Sequence, residues 1–306
     1  MLLTENEKLY YAKLESLSFD TLVVSSGGMN GLIILGALNY LQCIGKLKEI
    51  KNYIGCSAGS IISLLIIIGY TPFEISQRVI DTNMEKEMSV FDIKNLTTNF
   101  SFYSHKILLN IFEKLVTDKL GFIPTMKELY EMFNTNWDVT VYNYSKMKIE
   151  YLNHENNPNE LCTIVACASC AIPVVFNYVT INDNKYIDGG ILEPFPMSFV
   201  KQKYKNSKIL GVVLLDRNEE EKDLNILKFI SSIIFLAMAH KKQKIYNRHI
   251  NDENICILNL SHDNKGLSFH IDCTEKIKMF AEGDIQVRKK LRKLKELKEE
   301  AISSTL

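Results

Sequence analysis

The chain has 306 residues, of which 46% are hydrophobic and 24% are charged, and its formal net charge is zero. This is the composition of a globular protein, and the length is sufficient for one α/β domain with a substantial core. A neutral chain without an RNA- or DNA-binding motif gives no indication of a nucleic-acid partner.

The N-terminal segment and the cysteines predict the compartment. Residues 1–8 are polar and lack the apolar core of a signal peptide. The seven cysteines are scattered, and Cys162, Cys167 and Cys170 fall in an apolar run that reads as a buried strand or helix. No metal-ligand spacing or EF-hand loop is present. We therefore expect a cytoplasmic protein without a metal or another cofactor.

The first informative element is a short strand that runs into a glycine-rich turn. Thr21–Val24 is β-type, the turn reads Ser26-Gly27-Gly28-Met29-Asn30-Gly31, and helical spacing starts at Leu32. The Gly-Lys-Ser/Thr of a P-loop and the Gly-x-Gly-x-x-Gly of a dinucleotide fold are both missing. Bare glycines let backbone N–H groups approach an oxyanion closely, and such donors are often the largest single contribution to acyl transfer.

The second element is the pentapeptide Gly55-Cys56-Ser57-Ala58-Gly59, which follows an extended run and opens the apolar stretch Ser60–Ile68. A serine between two glycines at a strand-to-helix junction is the pattern of a nucleophile elbow. Gly55 and Gly59 would relieve crowding in the turn, and Ser57 would lie at the positive end of the helix. By itself, the pentapeptide also fits a plain tight turn.

The middle of the chain is predicted to be mostly helical. Residues 71–135 read as helices, with Pro72 opening one of them and an amphipathic pattern from His105 to Leu120. We expect this region to cover the active site and to shape an acyl pocket. Trp137–Ile149 reads as a pair of strands around Asn143-Tyr144.

A third element places an acidic residue at a turn. The segment Ala168-Ser169-Cys170-Ala171-Ile172-Pro173 is followed by a β-type run that ends in Asp188-Gly189-Gly190. The small residues leave the carboxylate accessible. Taken alone, Asp-Gly more often marks a hairpin turn.

The last third contains a strand and several helices. Ile209–Leu215 is a continuous apolar run, as in a central parallel strand. Ile226–Ala239 is apolar and precedes a lysine-rich segment, which fits either a core helix or an interfacial helix that docks on lipid. Leu267–Ile271 reads as a short strand, Thr274–Leu291 as a helix and Arg288–Glu300 as a charged surface helix.

Taken together, the three motifs resemble the patatin-like phospholipase family. The glycine-rich loop, Gly-x-Ser-x-Gly and Asp-Gly-Gly occur in the family's order, and the Ala-Ser-x-Ala-x-Pro segment precedes the aspartate as it does there. The resemblance covers about 19–291. It implies an α/β fold with three layers, α/β/α, around a mostly parallel sheet whose strand ends gather the elbow and the Asp turn.

The resemblance also implies roles for individual residues. The family uses a Ser-Asp dyad without a histidine, so Ser57 would be the nucleophile and Asp188 its base. Gly27 and Gly28 would supply the N–H groups of the oxyanion hole, and the other motif glycines would support the turns, namely Gly31, Gly55, Gly59, Gly189 and Gly190. The implied substrate is a lipid or phospholipid ester, met by transient contact with a membrane surface.

Two positions depart from the family pattern. Ser26 stands at the first glycine of the loop, and Asn30 stands where the family carries a basic residue that helps to hold the lipid phosphate. Asn30 is therefore the candidate for headgroup contact. A neutral amide there predicts a weaker preference for phospholipid over neutral or lyso-lipid esters.

Two alternatives stay open at the level of sequence. One is a Ser-His-Asp hydrolase that uses His240, His249, His262 or His270. The other is a non-enzymatic lipid-binding protein that retains the fold. The predicted organisation is an N-terminal segment 1–18, a catalytic domain 19–291 and a charged helix and tail 292–306.

Overall fold

A computed structural model describes residues 12–82, 88, 100–217, 226–263 and 271–303. A mixed sheet of eight strands forms its centre, in the order β10-β9-β1-β2-β4-β8-β7, with β5 also paired to β4. A separate pair joins β3 to β6. The strands are β1 Thr21–Val24, β2 Asn52–Cys56, β3 Ser101–Tyr103, β4 Asn136–Asn143, β5 Lys148–Leu152, β6 Val174–Phe176, β7 Val179–Ile181, β8 Asn184–Asp188, β9 Ile209–Arg217 and β10 Ile255–Asp263.

Half of the sheet is parallel. β10, β9, β1, β2 and β4 are parallel to one another in this order, whereas β5 and β8 pair antiparallel with β4, and β7 pairs antiparallel with β8. β1 is buried along its whole length, as expected for a strand covered on both faces. The predicted strand Ile209–Leu215 lies within β9, between β1 and β10.

In the described ranges, nine α-helices with defined bounds pack around the sheet. They are α1 Gly31–Cys43, α2 Ala58–Ile67, α3 Pro72–Asp81, α4 Lys106–Leu120, α5 Met126–Phe133, α6 Cys162–Cys170, α7 Met197–Lys203, α8 Ile226–His249 and α9 Cys273–Ser303. α3 begins with a capping box between Thr71 and Glu74, and Pro72 occupies its first turn, so the predicted start is confirmed. α4 confirms the amphipathic prediction for His105–Leu120.

Side chains on alternate positions of each strand point into two separate cores. On β1, Leu22 and Val24 belong to the larger core with α1, α2, α3, α4, α6 and α9, whereas Val23 points to the opposite face. There it packs with residues such as Met197 of α7 and Ile245 of α8. Helices on both faces of the sheet confirm the three-layer α/β/α prediction.

One edge of β4 brings two strand ends together. Thr140 pairs with Cys56 of β2 on one side and with Tyr151 of β5 on the other, while the next residue, Val141, pairs with Asp188 of β8 and with β5. Because β5 occupies the same edge throughout, β2 and β8 share the opposite edge. They run toward each other and end at adjacent positions, which brings Ser57 and Asp188 together.

The C-terminal region forms one long helix rather than two elements. α9 covers both predicted segments, Thr274–Leu291 and Arg288–Glu300, so the predicted boundary after residue 291 falls inside it. α9 crosses α1 closely: a Cβ added at Gly283 would lie 1.9 Å from the carbonyl oxygen of Ile33. This packing fixes the first part of α9 on the domain. The predicted strand at Leu267 lies outside the described residues.

Within the described part of the chain, no helix combines the length and the apolar character that a membrane crossing would need.

Candidate active site

The nucleophile-elbow prediction can be followed in the backbone at Ser57. β2 ends at Cys56, α2 begins at Ala58, and Ser57 between them has φ 53° and ψ −124°. A non-glycine residue with positive φ is strained, and such strain persists where the surroundings enforce it. The side chain is thereby held at the N-terminus of α2, where the helix dipole favours an anion.

Two glycines make this turn sterically feasible. A Cβ at Gly55 would lie 2.5 Å from the carbonyl oxygen of Gly59, and a Cβ at Gly59 would lie 2.4 Å from the carbonyl oxygen of Val24. Both contacts are with backbone, which cannot move aside. α2 therefore packs directly on β1 and β2 only because these two positions lack side chains.

The Asp188 turn is equally tight. β8 ends at Asp188, whose carboxylate Oδ1 accepts a hydrogen bond from the Gly190 N–H at 2.7 Å. Gly189 and Gly190 begin a short 3-10 turn, and a Cβ at Gly189 would lie 2.8 Å from the backbone of Thr140. Because Gly189 has no side chain, the turn can approach β4. The N–H of Gly190 in the same turn then binds the Asp188 carboxylate.

The end of α6 supports both residues of the predicted dyad. The Ser169 hydroxyl accepts a hydrogen bond from the Ser57 N–H at 2.9 Å and donates one to the carbonyl of Thr140 at 2.8 Å. Two residues on, the carbonyl of Ala171 accepts from the Asp188 N–H at 2.9 Å. The sequence interpretation treated this segment only as a family feature and did not anticipate its contacts with Ser57 and Asp188.

Asp188 is buried, and one of its oxygens is unused. Its exposed fraction is 1%, and among the described residues Oδ2 has no hydrogen-bond partner. Burial raises the pKa of this carboxyl to about 6, while the nearby Ser57 hydroxyl and the Gly190 N–H oppose the rise. A carboxylate that is ionised near neutral pH and has a free oxygen can accept a proton.

Two neutral thiols adjoin the carboxylate. The Cys56 Sγ lies 4.0 Å from Asp188 Oδ1, and burial together with the Asp188 charge raises the pKa of both Cys56 and Cys170. Thiols with raised pKa values stay protonated and poorly nucleophilic. This fits the prediction that Cys56 is a small filler beside Ser57.

Ser57 opens on an apolar cavity of about 160 Å³. Along α2, the lining residues extend from Ala58 to Leu65, two helical turns or about 10 Å. Opposite them are Leu108 and Leu115 of α4, and Arg78 of α3 is the charged residue at the rim, paired to Asp118 at 3.1 Å. The predicted helical region 71–135 therefore forms one wall of this cavity.

The glycine-rich loop lies beside Ser57. Gly28 has φ 53° and begins a 3-10 turn that leads into α1. Gly28, Met29 and Gly31 line the cavity together with Ser57. Gly27 precedes them, and a Cβ added there would lie 3.3 Å from Cδ1 of Ile34. The N-termini of α1 and α2 thus meet at one end of the cavity. Asn30 is 1% exposed and is not among the residues that line it.

Two histidines of the alternative triad, His240 and His249, have described side chains, and both lie away from Ser57. His249 bonds Asp252 through Nδ1 at 2.8 Å, and His240 is on the exposed side of α8. The side chain of His262 and all of His270 lie outside the described residues. The described residues that line the cavity around Ser57 include no histidine. The same holds for metal ligands: no cluster of three His, Cys, Asp or Glu side chains occurs in the ranges that the structure describes.

Comparison with known proteins agrees with this geometry. The model of the patatin-like phospholipase family matches residues 22–200, which include the loop, the elbow and the Asp turn. The chain belongs to the patatin-like phospholipase family. This membership supports lipid acyl hydrolase activity, as the resemblance of the motifs predicted.

Individual relatives extend the match. The chain is 33% identical over 205 residues to a probable lipid hydrolase, 463L, of Invertebrate iridescent virus 6, covering 65% of this chain and 69% of the viral protein. It is 26% identical over 289 residues to the uncharacterized protein YqhO of Bacillus subtilis, covering 85% and 94%. VipD of Legionella pneumophila has a similar fold, with a TM-score of 0.53 at 17% identity over 90% of this chain and 67% of VipD.

Proposed function

We propose that this patatin-like protein cleaves fatty-acyl esters with a catalytic dyad of Ser57 and Asp188. The observation that carries the proposal is the unused Oδ2 of Asp188 beside the Ser57 hydroxyl, at the end of an apolar cavity. A buried acceptor without a partner costs about 1–3 kcal/mol. Such a group is explained where its free oxygen receives a proton during the reaction.

The proposed reaction has two halves. Ser57 Oγ attacks the ester carbonyl carbon while its proton passes to Asp188, and the N–H groups of Gly27 and Gly28 bind the oxyanion. Collapse of the tetrahedral intermediate breaks the ester C–O bond, and the leaving alcohol takes the proton from Asp188. Asp188 then takes a proton from a water that attacks the acyl-Ser57 ester. As the acyl C–O bond to Ser57 breaks, the departing Oγ takes this proton back from Asp188 and the fatty acid is released.

The walls of the cavity support an acyl chain as the group that it binds. Leu32, Ile62 and Leu108 are typical of its lining, and their burial against a hydrocarbon chain is favourable at about 25 cal/mol per Å². Asn30 stays our candidate for headgroup contact. Because its amide is neutral, we expect that phospholipid is not strongly preferred over neutral or lyso-lipid esters.

The proposal includes the cytoplasm as the site of action and a lipid surface as the place of reaction. All seven cysteines are free, and five of them are buried. This agrees with the reducing compartment predicted from the sequence. Long-chain esters are presented at interfaces, so an enzyme of this type has to make transient contact with a lipid surface.

The test is labelling with a fluorophosphonate probe and hydrolysis of a panel of lipid esters. We expect both in the wild type, and we expect both to be lost in Ser57→Ala and Asp188→Asn. Activity that survives in Asp188→Asn but not in Ser57→Ala would favour the histidine triad, which single alanine variants at His240, His249, His262 and His270 would then test. Absence of labelling in the wild type would favour a lipid-binding protein without catalysis.

A further inference from the structure

The outer face of α8 carries large apolar side chains that nothing in the described structure covers. Phe229 is 54% exposed, Ile233 53% and Leu236 60%. Their spacing of four and three residues places all three on one side of the helix. His240 and Lys244 continue the same side toward the C-terminus of α8, and both are exposed.

The inner face of the same helix is part of the core. Phe235 and Met238 are buried, and the exposed fraction of Lys242 is 2%. Phe235 belongs to the larger core, whereas Ile245 and Tyr246 pack against the core on the opposite face of the sheet. α8 is therefore a core helix, as one interpretation of the sequence predicted. The outer face of α8 is nevertheless apolar over the first half of the helix, as the alternative interpretation, an interfacial helix, requires.

The charged residues of α8 are all basic. Residues 226–249 include Lys228, Lys241, Lys242, Lys244 and Arg248 and contain no aspartate or glutamate. The chain as a whole has a formal net charge of zero, so this helix departs sharply from the average. An apolar face flanked by basic residues is complementary to an anionic lipid surface, where each lysine or arginine near the surface contributes about 1 kcal/mol.

α8 also touches the turn that carries Asp188. The Met238 Cε lies 2.7 Å from the position that a Cβ on Gly190 would take, and the Lys241 ammonium donates to the carbonyl of Leu192 at 3.1 Å. Leu192 ends this turn and is itself 44% exposed. The uncovered face of α8 is thus separated from the candidate catalytic turn by the thickness of one helix, about 10 Å.

We propose that Phe229, Ile233 and Leu236 form a docking face for an anionic membrane surface, with Lys244 and Arg248 at the lipid headgroups. The inference rests on the proposed function because a lipid hydrolase needs such a contact. Docking through α8 brings the Asp188 turn to the interface at which the substrate is presented.

The experiment measures binding to vesicles in a Ser57→Ala background, so that the lipid stays intact. The probes are vesicles of phosphatidylcholine with and without phosphatidylglycerol, separated by flotation at low and at high salt. We expect binding to the anionic vesicles that weakens at high salt, because screening acts on the exposed lysines. The triple variant Phe229→Ser/Ile233→Ser/Leu236→Ser should bind at least about tenfold more weakly, from the loss of three apolar insertions.

Matched controls separate the face from surface hydrophobicity in general. Phe122→Ser/Met132→Ser/Ile277→Ser removes three apolar residues of similar exposure, 46%, 47% and 52%, from other elements, and it should bind normally. Lys244→Gln/Arg248→Gln should weaken binding to anionic vesicles about fivefold per charge, whereas Lys278→Gln/Lys289→Gln on α9 should not. Far-UV circular dichroism and a thermal melt check the fold of each variant.

Several results would overturn the inference: no binding to either vesicle, equal losses in the two triple variants, or a solution dimer that dissociates in the α8 variant and so assigns the face to a second copy. Fluorophosphonate labelling of the chain with Ser57 intact is read separately. Labelling without α8-dependent binding would reject only the docking face. Binding without labelling would reject only the catalytic proposal.

Discussion

Two buried aspartates lie on the paired strands β4 and β8, and they differ in the hydrogen-bond donors that surround their carboxylates. Asp138, in the first half of β4, is 0% exposed, and both of its oxygens are bonded. Oδ1 accepts from Asn153 at 2.6 Å and from the Lys203 ammonium at 2.9 Å, and Oδ2 accepts from the Tyr204 hydroxyl at 2.7 Å. Asp188, opposite the second half of β4, has one oxygen capped by Gly190 and the other unpartnered within the described structure.

The difference separates a structural acid from a reactive one. A buried carboxylate that accepts hydrogen bonds from a cation and from two further donors has both of its oxygens occupied. A buried carboxylate without a cation has a raised pKa, and its free oxygen can take a proton. Burial alone therefore does not mark a catalytic residue; burial with an unsatisfied acceptor beside a nucleophile does.

The largest expected effect comes from replacing the reactive acid. Asp188→Asn should lower kcat/KM by about 10⁴-fold or more, as removal of a member of a catalytic unit does. It should not lower the melting temperature at pH 7.5. The folded-state pKa of about 6 lies above the ordinary value of 3.8. The stability from the raised pKa is therefore present below pH 3.8 and is lost as the pH rises through 6. The ester assay measures kcat/KM, and scanning calorimetry measures the melting temperature. A large drop in melting temperature would contradict the assignment of Asp188 as a reactive rather than a structural acid.

The opposite pattern is expected at the structural acid. Asp138→Asn should destabilise the fold by about 2–4 kcal/mol, because the Tyr204 hydroxyl loses its charged acceptor and the Lys203 ammonium keeps only its ion pair with Glu155 at 3.2 Å. The remaining folded enzyme should keep its kcat. Urea unfolding gives the stability, and active-site titration with the fluorophosphonate corrects kcat for unfolded protein. A stable variant with a lowered kcat would contradict this assignment.

A smaller effect is expected where Ser169 connects Ser57 to β4. Ser169→Ala removes the acceptor of the Ser57 N–H and the donor to Thr140, so the elbow loses its fixed position. We expect kcat to fall about 10- to 100-fold with little change in KM, as for misplaced reacting groups. The matched control is Ser63→Ala, since Ser63 is also fully buried but bonds only within α2, to the Gly59 carbonyl at 2.8 Å. Equal losses in the two variants would show that the effect is one of stability.

The smallest effect concerns the pH profile. Because Asp188 acts as a base when ionised, kcat/KM on a soluble ester should rise as the pH increases through about 6, the pKa to which burial raises this carboxyl. Cys56→Ser replaces a weak thiol donor at 4.0 Å with a stronger hydroxyl donor. A hydrogen bond to the charged form lowers the pKa, so the acidic limb should move about half a unit to one unit lower. An unchanged or higher limb would argue that Asp188 is not the group that titrates.

The fold and the positions of the predicted dyad were largely readable from the sequence. Gly55 and Gly59 prescribe a strand-turn-helix junction around Ser57 because a Cβ at either position would clash with backbone, and Asp188-Gly189-Gly190 prescribes a second tight turn. Apolar runs such as Ile209–Leu215 fixed the central strands. The sequence did not predict the role of Ser169, because a small polar residue in an apolar helix is uninformative until its partners Ser57 and Thr140 are known.

The dual character of α8 shows a similar boundary. The sequence offered a core helix or an interfacial helix as alternatives, since Ile226–Ala239 is apolar almost throughout. Only the packing of Met238 on the Asp188 turn decides which side is buried, and this leaves Phe229 and Leu236 outside.

The sequence alone thus determined the local backbone conformation, because glycine placement, helix caps and apolar runs act within a few residues. These local features gave the elbow, the Asp turn and the order of the strands and helices. Tertiary structure decided that β2 and β8 meet end to end on one edge of β4, that Asp188 keeps an oxygen free while Asp138 does not, and which face of α8 is exposed. The physical reason is that hydrogen-bond satisfaction, burial and the resulting pKa depend on groups far apart in the chain, which no local pattern specifies.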